Sequence, residues 1–308
     1  MNDPAELPKA GASGAVSTVT SRILLANVVA QAGIVVTGGL VRLTGSGLGC
    51  PTWPECVPGS YTPVPYQEQQ WHKYVEFGNR LLTFALVAIA IATFIAVWRH
   101  RPHRGPLLLL AAVPFLGTFG QAVLGGITVI TGLNPWLVAS HLLLSMVLIA
   151  AAVVLYVRGN ENGDGPITLI VAPAIRVLAW ALVAVSACVL FVGSIVTGSG
   201  PHSGDAGAST RFPFDVRSVA WLHADLVLLL VGLIIGIVVA LIATNAPQRA
   251  RTSALWVLGI ALAQGALGYA QYFAGVPWFA VLVHQLGATL VWIAVIRLLM
   301  STRERTID

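Results

Sequence analysis

Apolar residues fill this chain in eight long runs, separated by short polar or Gly/Pro-rich stretches. A helix needs about 20 apolar residues to cross the hydrocarbon core of a bilayer. Runs of that order lie at roughly 22–41, 74–98, 106–130, 136–157, 172–197, 218–243, 252–273 and 278–299. Stretches such as LLTFALVAIAIATFIAVW (81–98) lack the every-second-residue alternation of a barrel strand, so the spans read as helices. The pattern predicts an all-α polytopic membrane protein with eight transmembrane helices.

The pattern also repeats. GGLVRLTGSG (38–47) closes the first span and VGSIVTGSG (192–200) closes the fifth. QAVLGGITVITGLNPWLVASH runs from Gln121 to His141, and QGALGYAQYFAGVPWFAVLVH from Gln264 to His284. Gln, Leu-Gly, Pro-Trp and a terminal His recur in one order. The expected organisation is therefore two pseudo-symmetric four-helix bundles, 22–157 and 172–299. An inner linker (158–171, opening RGNENGDGP) joins them, with a disordered cytoplasmic tail at 1–21 and a cytoplasmic tail at 300–308.

Composition adds little except exclusions. The chain is 56% hydrophobic and 9% charged, where soluble domains hold about 25% charged residues. Its net charge of +5 is scattered between apolar runs, which points to membrane topology and away from nucleic acid. An even number of spans puts both ends on one side. That side gathers Lys9, Arg22, Arg99, Arg101, Arg104, Arg158, Arg176, Arg249, Arg251, Arg297, Arg303 and Arg305, against Arg42, Lys73, Arg80, Arg211 and Arg217 opposite. The positive-inside rule then predicts a multi-pass cell-membrane protein with both termini cytoplasmic. The N-terminal tail lacks the basic and apolar segments of a cleaved signal, so the first helix is expected to remain. Cys50 and Cys56 fall in the first outer loop, across CPTWPEC. In an oxidising compartment they are candidates for a disulfide, the alternative being two unrelated thiols. Cys188 lies inside the fifth span and reads as packing.

Ionisable groups inside spans are costly and mark candidate sites. Of the seven histidines, His100 and His103 sit in the basic RHRPHR loop, and His72 and His202 in outer loops. His141, His223 and His284 each lie five or six residues inside the outer end of an even-numbered span. At 1.5 Å per residue they share a depth of about 8–9 Å. At the matching depth span two carries Asn79, with Glu76 one turn earlier on the same face and Arg80 in reach of Glu76. Paired histidines on facing helices of a bundle suit a haem iron with two axial imidazoles. A zinc or di-iron site would need tighter clusters or ExxH spacing, and EFGN ends in Asn. Apart from Glu76, the only carboxylate inside a span is Asp225, two residues after His223.

LTGSGLGCPTWPEC, VEFGNRLL, LGGITVITG with NPWLVASH, VTGSGPHSGD, AWLHADL and VLVHQLGA stand in this order over nearly all of 22–299. In this set the chain resembles the haem A synthase family. The resemblance implies an oxidoreductase that takes haem O as substrate. It would oxidise a ring methyl to formyl by successive hydroxylations and loss of water, giving haem A for a terminal oxidase. It implies a haem B cofactor on His223 and His284, and a substrate site at Glu76, Asn79 and His141 with Glu76 catalytic. It also implies a Cys50–Cys56 disulfide over the substrate side. Arg42, Arg80, Arg211 and Arg217 near the outer ends are candidates to pair with haem propionates. The electron acceptor stays unidentified; haem O synthase and oxidase assembly factors are candidate partners, beside the lipid membrane. Many family members carry histidine where this chain has Asn79, a poor iron ligand, so His141 alone is expected to ligate the substrate iron. A di-haem b-type electron-transfer protein would require a second complete histidine pair. A repeat-built transporter would place its polar groups at mid-membrane instead of near the outer face. The prenyltransferase that makes haem O would need clustered aspartates, which the sequence lacks.

Overall fold

The computed structural model describes residues 16–306 except Asp164, Ser203 and 206–209. Lys9 and most of the N-terminal tail therefore lie outside the described residues. Eight α-helices are present: α1 (Thr18–Leu43), α2 (His72–His100), α3 (Gly105–Ile130), α4 (Pro135–Gly159), α5 (Pro173–Ser199), α6 (Val216–Ala243), α7 (Gln248–Phe273) and α8 (Trp278–Ser301). All eight are long and apolar enough to span a membrane. Most helices outrun the apolar runs, by up to four residues at an end, because polar flanks complete the terminal turns. Ser17, Asn134 and Asp215 supply side-chain oxygens to the first free N–H groups of α1, α4 and α6. Pro135 and Pro173 open α4 and α5, where a missing N–H costs nothing. Pro114 interrupts α3, and the Thr118 hydroxyl donates to the Pro114 carbonyl at 2.7 Å.

Helices α1–α4 pack as one bundle and α5–α8 as a second, each closed by its first and last member. The halves meet mainly through α8, which also packs on α1 and α4. Two hydrogen bonds pin that seam: Trp292 Nε1 donates to the Met146 carbonyl (2.8 Å) and Gln285 Nε2 to the Val35 carbonyl (2.8 Å). Gly39 makes the second possible, since a Cβ there would collide with the Gln285 amide.

Both halves turn from their third to their fourth helix through two left-handed residues, Gly132–Leu133 and Gly275–Val276. The residue of slack in the repeat falls here: the first half places Asn134 before Pro135, whereas Pro277 itself precedes α8.

At the face carrying the termini, linker and C-terminal tail are tied together. β1 (Ile167–Leu169) pairs antiparallel with β2 (Arg303–Arg305). Glu161 accepts from Arg303 (2.7 Å), Arg305 (3.0 Å) and Arg104 (3.2 Å), and its carbonyl accepts from Arg101 (3.0 Å). Linker and C-terminal tail thus form one clasp over the described residues. Cys188 corrects the packing expectation: it is exposed on the outer surface of α5, where a lipid-facing thiol needs no partner.

Candidate functional site

The polar groups singled out by the repeat gather near the face opposite the termini. Counted from the helix starts, His141 stands six residues beyond Pro135 and His284 six beyond Trp278. Asn79 stands seven beyond His72 and His223 seven beyond Val216. The repeat thus sets a common level in both bundles.

In the C-terminal half the His223 and His284 rings face each other with centroids 6.4 Å apart. Two metal–imidazole bonds of about 2.0 Å each, plus the ring radii, keep ring centres about 6–6.5 Å apart, so this pair has the separation that one metal between them requires. Nδ1 is buried in all three rings; those of His141 and His284 have no hydrogen-bond partner, whereas the His223 ring reaches the Val189 backbone of α5. A buried ring nitrogen without a partner is costly unless something binds there.

Each imidazole leans on a glycine of the neighbouring helix. A Cβ at Gly125 would lie 3.3 Å from Cε1 of His141, at Gly193 3.0 Å from Cε1 of His223, and at Gly268 3.2 Å from Cε1 of His284. An alanine at any of the three would sit tighter than ordinary contact and make the ring give by a few tenths of an ångström. A glutamine one turn away fixes the backbone: Gln121 Nε2 donates to the His141 carbonyl (3.1 Å) and Gln264 Nε2 to the His284 carbonyl (2.6 Å). The Gln and the Leu-Gly of the sequence repeat are therefore the brackets of its terminal His. The pattern was visible in the sequence; the bracketing role was not.

The N-terminal half departs from this symmetry. Asn79 Oδ1 accepts from the Thr37 hydroxyl of α1 at 2.8 Å. One turn toward the surface, Glu76 is buried and fully engaged. Its Oε1 accepts from Arg80 Nη2 (2.6 Å) and Nε (3.1 Å), and its Oε2 from the backbone N–H of Cys50. The Arg80 guanidinium also donates to the carbonyls of Cys50 (2.9 Å), Thr52 (3.0 Å) and Glu55 (3.3 Å). Cys50 and Cys56 form a disulfide and are both fully buried. Gln67 Nε2 holds the Gly49 carbonyl, and buried Lys73 holds those of Val64 and Pro65. The Trp53 indole lies against Gly126 of α3, where any Cβ would collide with it. The disulfide loop is thus seated on the bundle mouth and bonded directly to Glu76.

The remaining candidates scatter. With its donors spent on Glu76 and the loop carbonyls, Arg80 is not placed to reach a propionate. Arg42 Nη2 donates to the Thr197 carbonyl (2.6 Å) across the seam, leaving a buried Nε without a partner. Arg211 and Arg217 are exposed, Arg217 over the Trp221 ring. Asp225 lies on the exposed side of α6. His202 bonds the Val276 carbonyl (2.9 Å) and His72 the buried Ser46 hydroxyl (2.9 Å), so neither is a free loop histidine. His100 closes α2 half-buried, with Nε2 unpartnered, and His103 is exposed.

Fold and site together define an eight-span membrane protein built from a duplicated bundle, with a histidine pair in one half and a lidded carboxylate in the other. The sequence pattern of the cytochrome oxidase assembly protein family (COX15-CtaA) matches residues 21–296, and the chain belongs to that family. Among its relatives is the heme A synthase of Geobacillus thermodenitrificans, 34% identical over 110 residues, or 35% of this chain and 32% of that protein. The heme A synthase of Shewanella oneidensis is 28% identical over 203 residues (58% and 56%), and that of Listeria monocytogenes 27% over 186 (59% and 58%). The matched part spans about a third of the length of the first of these relatives and just over half of the other two.

Proposed function

We propose that this chain converts haem O to haem A, oxidising one ring methyl to a formyl by two hydroxylations, each passing two electrons to an electron acceptor outside the chain, and loss of water. The observation that carries the reading is the asymmetry between two otherwise repeated bundles. The C-terminal half has two buried imidazoles at metal-sharing distance; the N-terminal half replaces one of them by Asn79 and adds Glu76 beneath a braced loop. A plain di-haem electron carrier has no use for that difference.

In this reading His223 and His284 hold a resident haem B, which supplies one-electron transfer when bound. His141 ligates the iron of the substrate haem, and Asn79, oriented by Thr37, leaves the opposite position without a strong ligand. A substrate that must enter and leave as product is served by such one-sided ligation. Glu76 holds negative charge beside the reacting edge, so that positive charge developing on the oxidised carbon is stabilised. Arg80 and the Cys50 N–H keep that carboxylate in one orientation, and the disulfide loop with Trp53 keeps bulk water off the mouth. The excess of basic residues at the termini face orients both termini to the cytoplasm and the site to the outer side.

The test is product analysis in cells supplied with haem O. Wild-type protein is expected to yield haem A, and Glu76→Gln to accumulate haem O or a hydroxylated intermediate while still carrying haem B. Equal haem A from the variant would overturn the role of Glu76, and no conversion of haem O by wild type would overturn the function.

A further inference from the structure

We infer that the N-terminal bundle holds a file of bound water, running from the Asn79–His141 level toward the termini face and closed there by an apolar layer. Four buried polar groups in its interior lack hydrogen-bond partners: Gln121 Oε1, Gln31 Nε2, Asn27 Nδ2 and Thr93 Oγ1. Gln31, Asn27 and Thr93 are 3%, 1% and 0% exposed.

Their heights follow from the antiparallel packing of α1 and α2, fixed at one level by the Thr37–Asn79 bond. At 1.5 Å per residue Gln31 lies about 9 Å below that level, Asn27 about 15 Å and Thr93 about 21 Å. Gln121 bonds Ser145, one turn beyond His141, and so stands about 6 Å below. The steps between neighbours along the axis are about 3–6 Å, a range that one or two bridging waters cover at about 2.8 Å per hydrogen bond. Gln31 and Asn27 are four residues apart on one helix face, so a single water meets both amides.

The C-terminal half shows that the fold does not require these groups. Its interior at the same depth is Leu182, Leu230, Ile234, Ile237 and Leu241, with Ile237 as far beyond His223 as Thr93 is beyond Asn79. The buried hydroxyls there are satisfied, Ser186 by the Leu182 carbonyl (2.7 Å) and Thr289 by that of Gln285 (2.9 Å). Orphaned amides within a membrane core are costly, and water is the small ligand that meets both N–H donors and a carbonyl acceptor. A hydrocarbon tail satisfies none of them. At and below the level of Thr93, Leu24, Val97, Leu107, Ala111 and Leu155 pack as an apolar cluster. At its other end the file meets the site, where it holds water beside Asn79 and His141.

Radiolytic footprinting tests this on the purified full-length chain, because X-ray pulses convert bound waters into hydroxyl radicals that mark adjacent side chains. Modification in H₂¹⁸O is expected to be several-fold faster at Val28 and Leu86 than at Leu182, Ile234 and Ile237. In Asn27→Leu/Gln31→Leu it is expected to fall to the C-terminal level. Thr93→Val, close in shape to the native residue, gives the same comparison if the double variant does not fold. Equal rates in the two halves of the wild type, or undiminished marking in a folded variant, would overturn the inference. The measurement needs no haem, so its failure is separate from failure of the synthase reading.

Discussion

Replacing Arg80 by lysine keeps the charge and removes the fork. The native guanidinium makes two bonds to Glu76 Oε1 and reaches three carbonyls of the disulfide loop. The pair is largely shielded, with side chains 22% and 8% exposed. Breaking such a pair outright costs about 3–5 kcal/mol. A lysine ammonium recovers one bond to Glu76 but cannot span the carbonyls, so about 2 kcal/mol is expected to remain lost. That cost falls on the seating of the loop, which at Cys50, Thr52 and Glu55 is otherwise held to the helices only by the Cys50 N–H bond to Glu76. About 2 kcal/mol raises the open population about 30-fold. Cleavage of an opening segment by dilute protease tracks that population when closing is fast. The assay is limited proteolysis of 50–71 in detergent, with cleavage sites read by mass spectrometry, and a roughly 30-fold faster cut in Arg80→Lys is expected. An unchanged rate would refute the claim that Arg80 ties the loop to Glu76.

Gly193→Ala puts a methyl 3.0 Å from the His223 ring and is expected to cost about 1–3 kcal/mol of haem retention, with Gly268→Ala (3.2 Å) milder; visible spectra of the purified variants check the order. Glu161→Gln leaves Arg303 facing Arg158, Arg305 and Arg176, which together with burial already hold its pKa below the ordinary value while Glu161 opposes them. A loss of about 3 kcal/mol is expected, read as a lower melting temperature, and an unaltered melt would remove the clasp from the account. Asp215 caps α6, and the hydroxyl and N–H of Ser218 hold its carboxyl below the usual range. A depressed folded-state pKa adds stability above the unfolded value and loses it as pH falls, so the first turn of α6 is expected to exchange amide protons faster in acid. Asp215→Asn should flatten that dependence, as read by hydrogen exchange.

How much of this was legible in the sequence follows from the range of each signal. The spans were legible because a bilayer demands about 20 apolar residues in a row. The histidine level was legible because duplication wrote it twice, together with the Gln and Leu-Gly that bracket His141 and His284. Gly193 carried no such mark, since its motif lies in the other repeat unit, and its contact with His223 depends on how α5 meets α6. Thr37 and Asn79 are 42 residues apart on different helices, and no local pattern announces that bond. The fork of Arg80 onto loop carbonyls depends on loop shape, which composition does not encode. β1 and β2, of three residues each, are too short to display a period.

The central claim is that two unlike haem sites share one duplicated scaffold. A reduced-minus-oxidised spectrum of the purified protein, with extracted haems separated by chromatography, tests it most directly when His223→Ala/His284→Ala is run beside the wild type. The account predicts haem B in the wild type together with haem O or haem A, and loss of haem B alone in the variant. Wild-type protein carrying no haem after expression with ample supply, or haem B retained without His223 and His284, would contradict it.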